Sequence, residues 1–304
     1  MQYLNTIIYP RQKLLRNNLI FSDSGCSVWT KCNKELSQGC KACKDGTWLC
    51  LFVGHKCNLD CSYCPQGSFE EKNSKIDHDM AFQEYWIDDI KRYIDLIPKN
   101  AITGISYSGG EPMMYLSKII NIASHLLEYH PHIYQWIYTN GLLADEMKLQ
   151  ILRDIGIKEI RFHIGASNFN ETVLKNLKTA TKIIHMCNIE TPSTPELKHQ
   201  LIDNDYLKYF QDLGIYQMNL AELYLNTEDS QNAYSDIETY AYTSLFRGFH
   251  ISPTSSREIT YDIIDYACQK NIDILINDCS HESRDVQINK EQQNVFKLNT
   301  FRGY

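Results

Sequence analysis

The chain has 304 residues, of which 43% are hydrophobic and 22% charged, and its formal net charge is -7. That length suits two small domains or one large α/β barrel with an extension, and it buries a sizeable core without covalent staples. An acidic balance with no block of like charge argues against a broad phosphate-binding surface and makes a nucleic-acid partner a poor expectation.

No apolar run approaches membrane-spanning length. The start, MQYLNTIIYPRQKLLRNN, lacks the apolar region and small-residue cleavage site of a signal peptide. The expected compartment is therefore the cytoplasm, where thiols stay reduced. Eleven cysteines then need a reason, and eight of them lie at 26, 32, 40, 43, 50, 57, 61 and 64. In a reducing compartment such clustering reads as metal ligation rather than a disulfide framework.

Residues 1–46 are polar and poorly periodic, and are expected to form an irregular, Cys-rich extension. TWLCLFVG (47–54) is a short apolar run that reads as a buried strand. Helical spacing follows over 77–97. Strands are then expected at 101–108, 133–141, 158–166, 184–192 and 215–223, with helices at 114–130, 144–156, 170–183 and 195–214 between them. A βα rhythm of this kind points to a parallel sheet with crossover helices. Beyond it, 226–236 reads as an exposed insertion, 256–271 as a helix capped by Ser256 with Glu258 in its first turn, and 272–280 as a late strand. The tail from Glu282 is weakly patterned. The expected domains are 1–46, a core over 47–223, and a C-terminal segment over 224–304.

In parallel α/β folds ligands gather at the C-terminal ends of the strands. The loop HKCNLDCSYCPQG leaves the first core strand and carries Cys57, Cys61 and Cys64 as C-x3-C-x2-C. Thiolates in that number bind zinc or an iron–sulfur cluster. SGGEP (108–112) stands at the end of the next strand, and its glycines allow backbone to approach a ligand closely. Polar residues end the later strands: Thr139 and Asn140, then Arg161, His163, Ser167 and Asn168, then Glu190, then Asn219 and Glu222. In RFHIG, alternation puts Arg161 and His163 on one face. Cys50, Cys187 and Cys268 read as small buried apolar residues.

CNLDCSYC, with Tyr63 before its third Cys, together with SGGEP one βα step later, resembles the radical S-adenosylmethionine (radical SAM) superfamily over roughly 47–223. The resemblance implies a partial (β/α)6 TIM-like barrel. It implies a 4Fe–4S cluster on Cys57, Cys61 and Cys64, with one iron open to S-adenosylmethionine (SAM). Gly109, Gly110 and Glu111 would hold the amino group of SAM, and Tyr63, Asn140, His163, Ser167 and Glu190 are candidates for the rest of the cofactor. The implied chemistry is one-electron cleavage of the sulfonium to a 5′-deoxyadenosyl radical, then hydrogen abstraction from a peptide, protein or small metabolite. An electron donor such as flavodoxin or ferredoxin is the implied partner. No residue is assigned as catalytic.

GCKACKDG (39–46) and NDCSHESRDVQ (277–287) resemble a branch of that superfamily likened to pyruvate formate-lyase activating enzymes. Cys40, Cys43 and Cys279, with Cys32 or Cys26, would hold an auxiliary cluster or a zinc ion, and free thiols stay an alternative. Two rival functions stay open: a glycyl-radical-enzyme activase, and a non-catalytic metal-binding structural or sensing protein.

Overall fold

The computed structural model describes residues 2–74, 83–244 and 248–294. In chain order its strands are β1 (Leu19–Ser22), β2 (Ser27–Thr30), β3 (Trp48–Phe52), β4 (Gly104–Ser108), β5 (Tyr134–Thr139), β6 (Glu159–Phe162), β7 (Met186–Pro192), β8 (Gln217–Ala221), β9 (Thr239–Ser244), β10 (Gly248–Pro253) and β11 (Leu275–Cys279). Its α-helices are α1 (Gln2–Leu14), α2 (Gln38–Asp45), α3 (Phe69–Ser74), α4 (Gln83–Leu96), α5 (Leu116–Tyr129), α6 (Glu146–Asp154), α7 (Glu171–Ile183), α8 (Pro195–Lys198), α9 (Tyr206–Leu213), α10 (Glu228–Ala233), α11 (Thr254–Gln269) and α12 (His281–Gln293). The class is α/β with a largely parallel sheet, as expected. The chain forms two compact units with interleaved segments. The larger takes Ser37–Cys61, Gln66–Cys187 and the chain from Gln287; the smaller takes the chain to Leu36, Ser62–Pro65 and Asn188–Val286.

In the larger unit β3, β4, β5 and β6 pair in that order, all parallel. Crossover helices cover such strands, so most of their residues are buried, least so in β3. Leu49, Leu51, Ile105, Tyr107, Trp136, Ile137, Ile160 and Phe162 are fully buried. Helix α5 adds Ile119, Ile122, Ala123 and Leu126, and α7 adds Val173, Leu177 and Ala180. Each large aliphatic side chain so buried contributes about 1.5–3 kcal/mol. The start of the helix expected over 77–97 lies outside the described residues; its remainder is α4.

Strand β6 also buries an ion pair. Arg161 Nε donates to Glu159 Oε1 at 2.6 Å, and its guanidinium lies 5.0 Å from the Trp136 ring centre. Ser37 Oγ reaches the same carboxylate oxygen at 3.2 Å, and Arg161 Nη2 stands 3.5 Å from Cys40 Sγ. Arg161 therefore packs against α2 and does not share a strand face with His163, which lies past the end of β6 at φ -85 and ψ 77.

In the smaller unit the order is β1, β2, β11, β8, β7. The last three are mutually parallel, whereas β2 runs antiparallel to both β1 and β11. The extension over 1–46 is thus not irregular: it holds α1, the β1–β2 hairpin and α2. β2 pairs with β1 in a local hairpin and, on its other side, with β11, with Trp29 opposite Asn277 and Val28 opposite Asp278. Pairing with so distant a neighbour leaves no local pattern. The segment 226–236 contains α10, started by a reciprocal Thr227–Ser230 capping box. The helix expected over 195–214 breaks at Asp205, which sits at φ 56. Ser256 is not a cap, since α11 begins two residues earlier; its hydroxyl donates to Ser193 O and accepts from Leu223 N, both at 2.9 Å. The antiparallel β9–β10 pair and α12 were not expected.

Arg161→Leu leaves the buried Glu159 carboxylate without its counter-charge. We expect urea denaturation to show a loss of roughly 3–5 kcal/mol. A loss below about 1 kcal/mol, the range of an exposed pair, would mean that the pair is peripheral to the core.

Candidate active site

Four adjacent parallel strands place four loops at one end of the larger unit's sheet. β3 runs into the cysteine loop, β4 into Gly109–Pro112, β5 into Asn140–Gly141, and β6 into His163–Ser167. The first two loops are zipped together by backbone. Val53 N donates to Ser108 O at 2.8 Å, Gly110 N to Gly54 O at 2.9 Å, and Glu111 N to Lys56 O at 2.8 Å. From the start of the following helical turn, Tyr115 Oη accepts from Lys56 N at 2.7 Å. A Cβ at Gly109 would lie 2.4 Å from Gly54 O, and one at Gly110 would lie 2.2 Å from His55 O. The two glycines are what lets the cysteine loop lie against the end of β4.

Glu111 is fully buried. Its Oε1 accepts from Met113 N at 3.0 Å and Thr139 Oγ1 at 2.8 Å, and its Oε2 from Asn140 N at 2.7 Å. Burial pushes its pKa from 4.5 up to about 7, against the pull of those three donors. Asn140 carries the link onward. Its Nδ2 donates to Asn58 Oδ1 at 2.7 Å and lies 3.9 Å from Cys57 Sγ. Cys57 is buried, whereas Cys61 and Cys64 are half-buried. Cys61 Sγ lies 3.9 Å from Ala166 O, which brings the turn after β6 to the same loop. In that turn His163 Nδ1 accepts from Ala166 N at 3.3 Å, and Ser167 Oγ donates to Ile164 O at 3.1 Å. Burial lowers the His163 pKa from 6.5 to about 4, so its imidazole is neutral at physiological pH.

The larger unit thus brings together Cys57, Cys61, Gly109, Gly110, Glu111, Asn140, His163 and Ser167. Tyr63 and Cys64 are half-buried and belong to the segment Ser62–Pro65 of the smaller unit. Glu190, also in the smaller unit, accepts from Asn219 Nδ2 at 3.1 Å. It crowns a polar ladder on that unit's parallel strands. Gln217 Nε2 and Asn277 Nδ2 both donate to Asn219 Oδ1, at 2.7 and 3.0 Å, and Asn277 Nδ2 lies 3.0 Å from Cys279 Sγ. Sequence reasoning named only the upper rungs. The signal for the lower ones was the repeated polar i, i+2 pair in Asn188–Glu190, Gln217–Asn219 and Asn277–Cys279, which marks one strand face.

The second cysteine set is divided between the two units. Cys40 is buried in α2 beside Arg161, and Cys43 Sγ donates to Gln287 Oε1 at 3.0 Å. Cys32 Sγ lies 3.8 Å from Lys34 O within its own turn of the smaller unit, where Cys279 ends β11.

The donor set on the first loop fits an iron–sulfur cluster. It offers three thiols, too few to close a tetrahedral site, and a side-chain amide aimed at one sulfur, as clusters use to tune their potential.

The family description "Radical SAM superfamily" matches residues 51–187. A Methanocaldococcus jannaschii protein carrying the provisional name glycyl-radical enzyme activating enzyme is 27% identical over 67% of this chain. The same organism's 7-carboxy-7-deazaguanine synthase is 26% identical over 43% of it. The chain spans 53% and 56% of those two relatives. Among solved structures, Streptococcus suis SuiB bound to its precursor peptide SuiA aligns with 92% of this chain and 61% of its own, at a TM-score of 0.52 and 18% identity. That likeness is one of fold.

Glu111 gives a signed pH dependence. Between its unfolded value of 4.5 and its folded value of about 7 the folded chain holds a proton that the unfolded chain has released. Stability contributed at this site is therefore present at acid pH, falls as pH rises through that window, and is level above it. The total is on the order of 3 kcal/mol. Unfolding free energies of wild type and Glu111→Gln, measured from about pH 5 to pH 8, should diverge in slope, with only the wild type showing this fall. Parallel profiles would mean that Glu111 does not titrate in that range.

Proposed function

We propose that the chain is a radical SAM enzyme that cleaves SAM reductively and abstracts hydrogen from a peptide or small-molecule substrate, a reading supported by the family match over residues 51–187 and by the Methanocaldococcus jannaschii relative. Cys57, Cys61 and Cys64 would hold the 4Fe–4S cluster. When bound, that cluster supplies the single electron that breaks the SAM sulfonium bond and yields a 5′-deoxyadenosyl radical. The reading rests chiefly on one observation: the cysteine loop is tied through Asn140 and Glu111 to the Gly-Gly-Glu loop, so the two motifs form one built site.

In this reading the backbone at Gly109 and Gly110 faces the amino group of SAM. The Glu111 carboxylate, already engaged by three donors of its own chain, acts as a positioning residue. Asn140 sets the loop through Asn58 and donates toward the Cys57 sulfur. His163, neutral and capping its turn, and Ser167 would shape the neighbouring wall, and Tyr63 and Glu190 would complete the contacts to the cofactor. Cys32, Cys40, Cys43 and Cys279 are proposed to hold an auxiliary cluster or zinc. A small electron-transfer protein of the flavodoxin or ferredoxin kind would deliver the electron. Among the described residues no helix is long and apolar enough to cross a membrane. The proposed site of action is the cytoplasm.

The Methanocaldococcus jannaschii relative favours a second reading, in which the hydrogen is taken from a glycine of a partner enzyme. The two differ in product: a closed-shell modified peptide or metabolite in the first, a persistent glycyl radical visible by EPR in the second.

Anaerobically reconstituted protein with SAM and a strong reductant should form 5′-deoxyadenosine. The triple change Cys57→Ala, Cys61→Ala, Cys64→Ala should reduce that product to background while the protein keeps its fold. A wild type that binds a cluster yet makes no 5′-deoxyadenosine would overturn the proposal.

A further inference from the structure

Among the described residues, one group of three His, Cys, Asp or Glu side chains brings all its ligand atoms within 4.8 Å of one another: Asp95, His125 and His130. The group lies in the larger unit, outside the site described above. Asp95 stands in the last turn of α4, His125 in the last turns of α5, and His130 at the C-cap of α5. Five helical residues would put His125 and His130 on different faces. His130 escapes that constraint because it has left the helix, at φ -132 and ψ 51, while its N–H still bonds Leu126 O. The next turn, closed by Ile133 N to His130 O at 2.9 Å, leads into the start of β5. The group therefore sits at the N-terminal end of the strand, opposite to the end that carries Asn140.

Both imidazoles aim the same atom at the same oxygen. His125 Nε2 lies 2.9 Å and His130 Nε2 2.6 Å from Asp95 Oδ1, with ring centres 5.8 Å apart. The histidine side chains are 17% and 16% exposed, so their orientation is held by packing, whereas Asp95 is 45% exposed and leaves an entry path from solvent.

We propose that Asp95, His125 and His130 form a binding site for a divalent transition-metal ion of the zinc class. Two imidazole nitrogens and one carboxylate oxygen are the borderline donors such an ion prefers, and three protein ligands leave a fourth position for water or an incoming group. Ligand bonds near 2.0–2.2 Å in a tetrahedral arrangement separate donor atoms by roughly 3.4 Å. The present nitrogen–oxygen distances of 2.9 and 2.6 Å need to open by about 0.5 and about 0.8 Å, within reach of small torsions at three side chains near helix ends. On binding, each imidazole would present Nε2 to the ion as an unprotonated lone pair, with any ring proton on Nδ1. The bound ion would clasp the end of α4 to the end of α5.

The test uses full-length protein with its iron reconstituted and any histidine tag removed, dialysed against zinc buffered at a fixed micromolar free concentration. Zinc and iron are then counted by mass spectrometry. The wild type should retain one zinc per chain that Asp95→Asn does not. That variant keeps an oxygen for the two imidazole N–H groups but removes the anionic ligand, and should weaken binding at least about tenfold. His125→Gln should lose the zinc as well, with iron content unchanged in both. Zinc K-edge absorption of the wild type reads the shell directly and does not depend on how the variants fold. A nitrogen and oxygen shell supports the site. A sulfur shell, equal zinc in wild type and Asp95→Asn, or no zinc retained at all would overturn it.

Discussion

One buried carboxylate ties the ends of two strands together, and the cysteine loop depends on that tie. Glu111 leaves β4 and reaches across to Thr139 and Asn140 at the end of β5. Its partners among the described residues are N–H and O–H donors, in a setting where an unsatisfied carboxylate would be costly. Asn140 passes the constraint on to Asn58 and Cys57, and the backbone zipper from Gly54 to Lys56 closes the circuit. These hydrogen bonds, which hold the loop from Gly54 to Asn58, all belong to the larger unit. A cluster and its ligand need that preorganisation if the reacting atoms are to meet in a fixed geometry.

The rest of the larger unit supports this end of the sheet. The Glu159–Arg161 pair and Trp136 fill the packing against α2 with charge and aromatic surface where a parallel sheet would ordinarily place aliphatics. In the smaller unit polar residues instead line one face of β7, β8 and β11, ending at Glu190 and Cys279. The side chains there engage one another, as burial favours, although Asn277 Oδ1 is buried with no hydrogen-bond partner among the described residues. A sheet face of this kind suits a polar guest better than an inert core. A buried Glu222 also accepts from Tyr240 and from His281 N, its pKa raised by burial despite the nearby Arg257.

The βα rhythm of the core was readable because buried parallel strands are short apolar runs and their crossover helices carry strong 3.6-residue periodicity, as in LSKIINIASHLLEY. The cysteine spacing and the Gly-Gly-Glu segment were readable for a different reason: chemistry and close backbone approach restrict which residues can stand there. What escaped depends on distant partners. β2 is paired on one side by the distant β11, and α12 has few apolar positions, its helix being anchored through Glu282 to Arg257 and through Lys290 Nζ to Lys44 O. The role of Ser256 was misread in the same way: it looked like a local cap and proved to be a hydrogen-bonding bridge between elements.

The central claim is that SAM binds at a cluster held by the Cys57–Cys64 loop. EPR of the reduced, reconstituted protein before and after SAM is added tests it most directly. The account predicts a paramagnetic 4Fe–4S signal whose g-values shift on SAM binding, and a shift that is absent when Cys57 is replaced. A cluster signal that SAM leaves unchanged, or one that survives intact without Cys57, would contradict it.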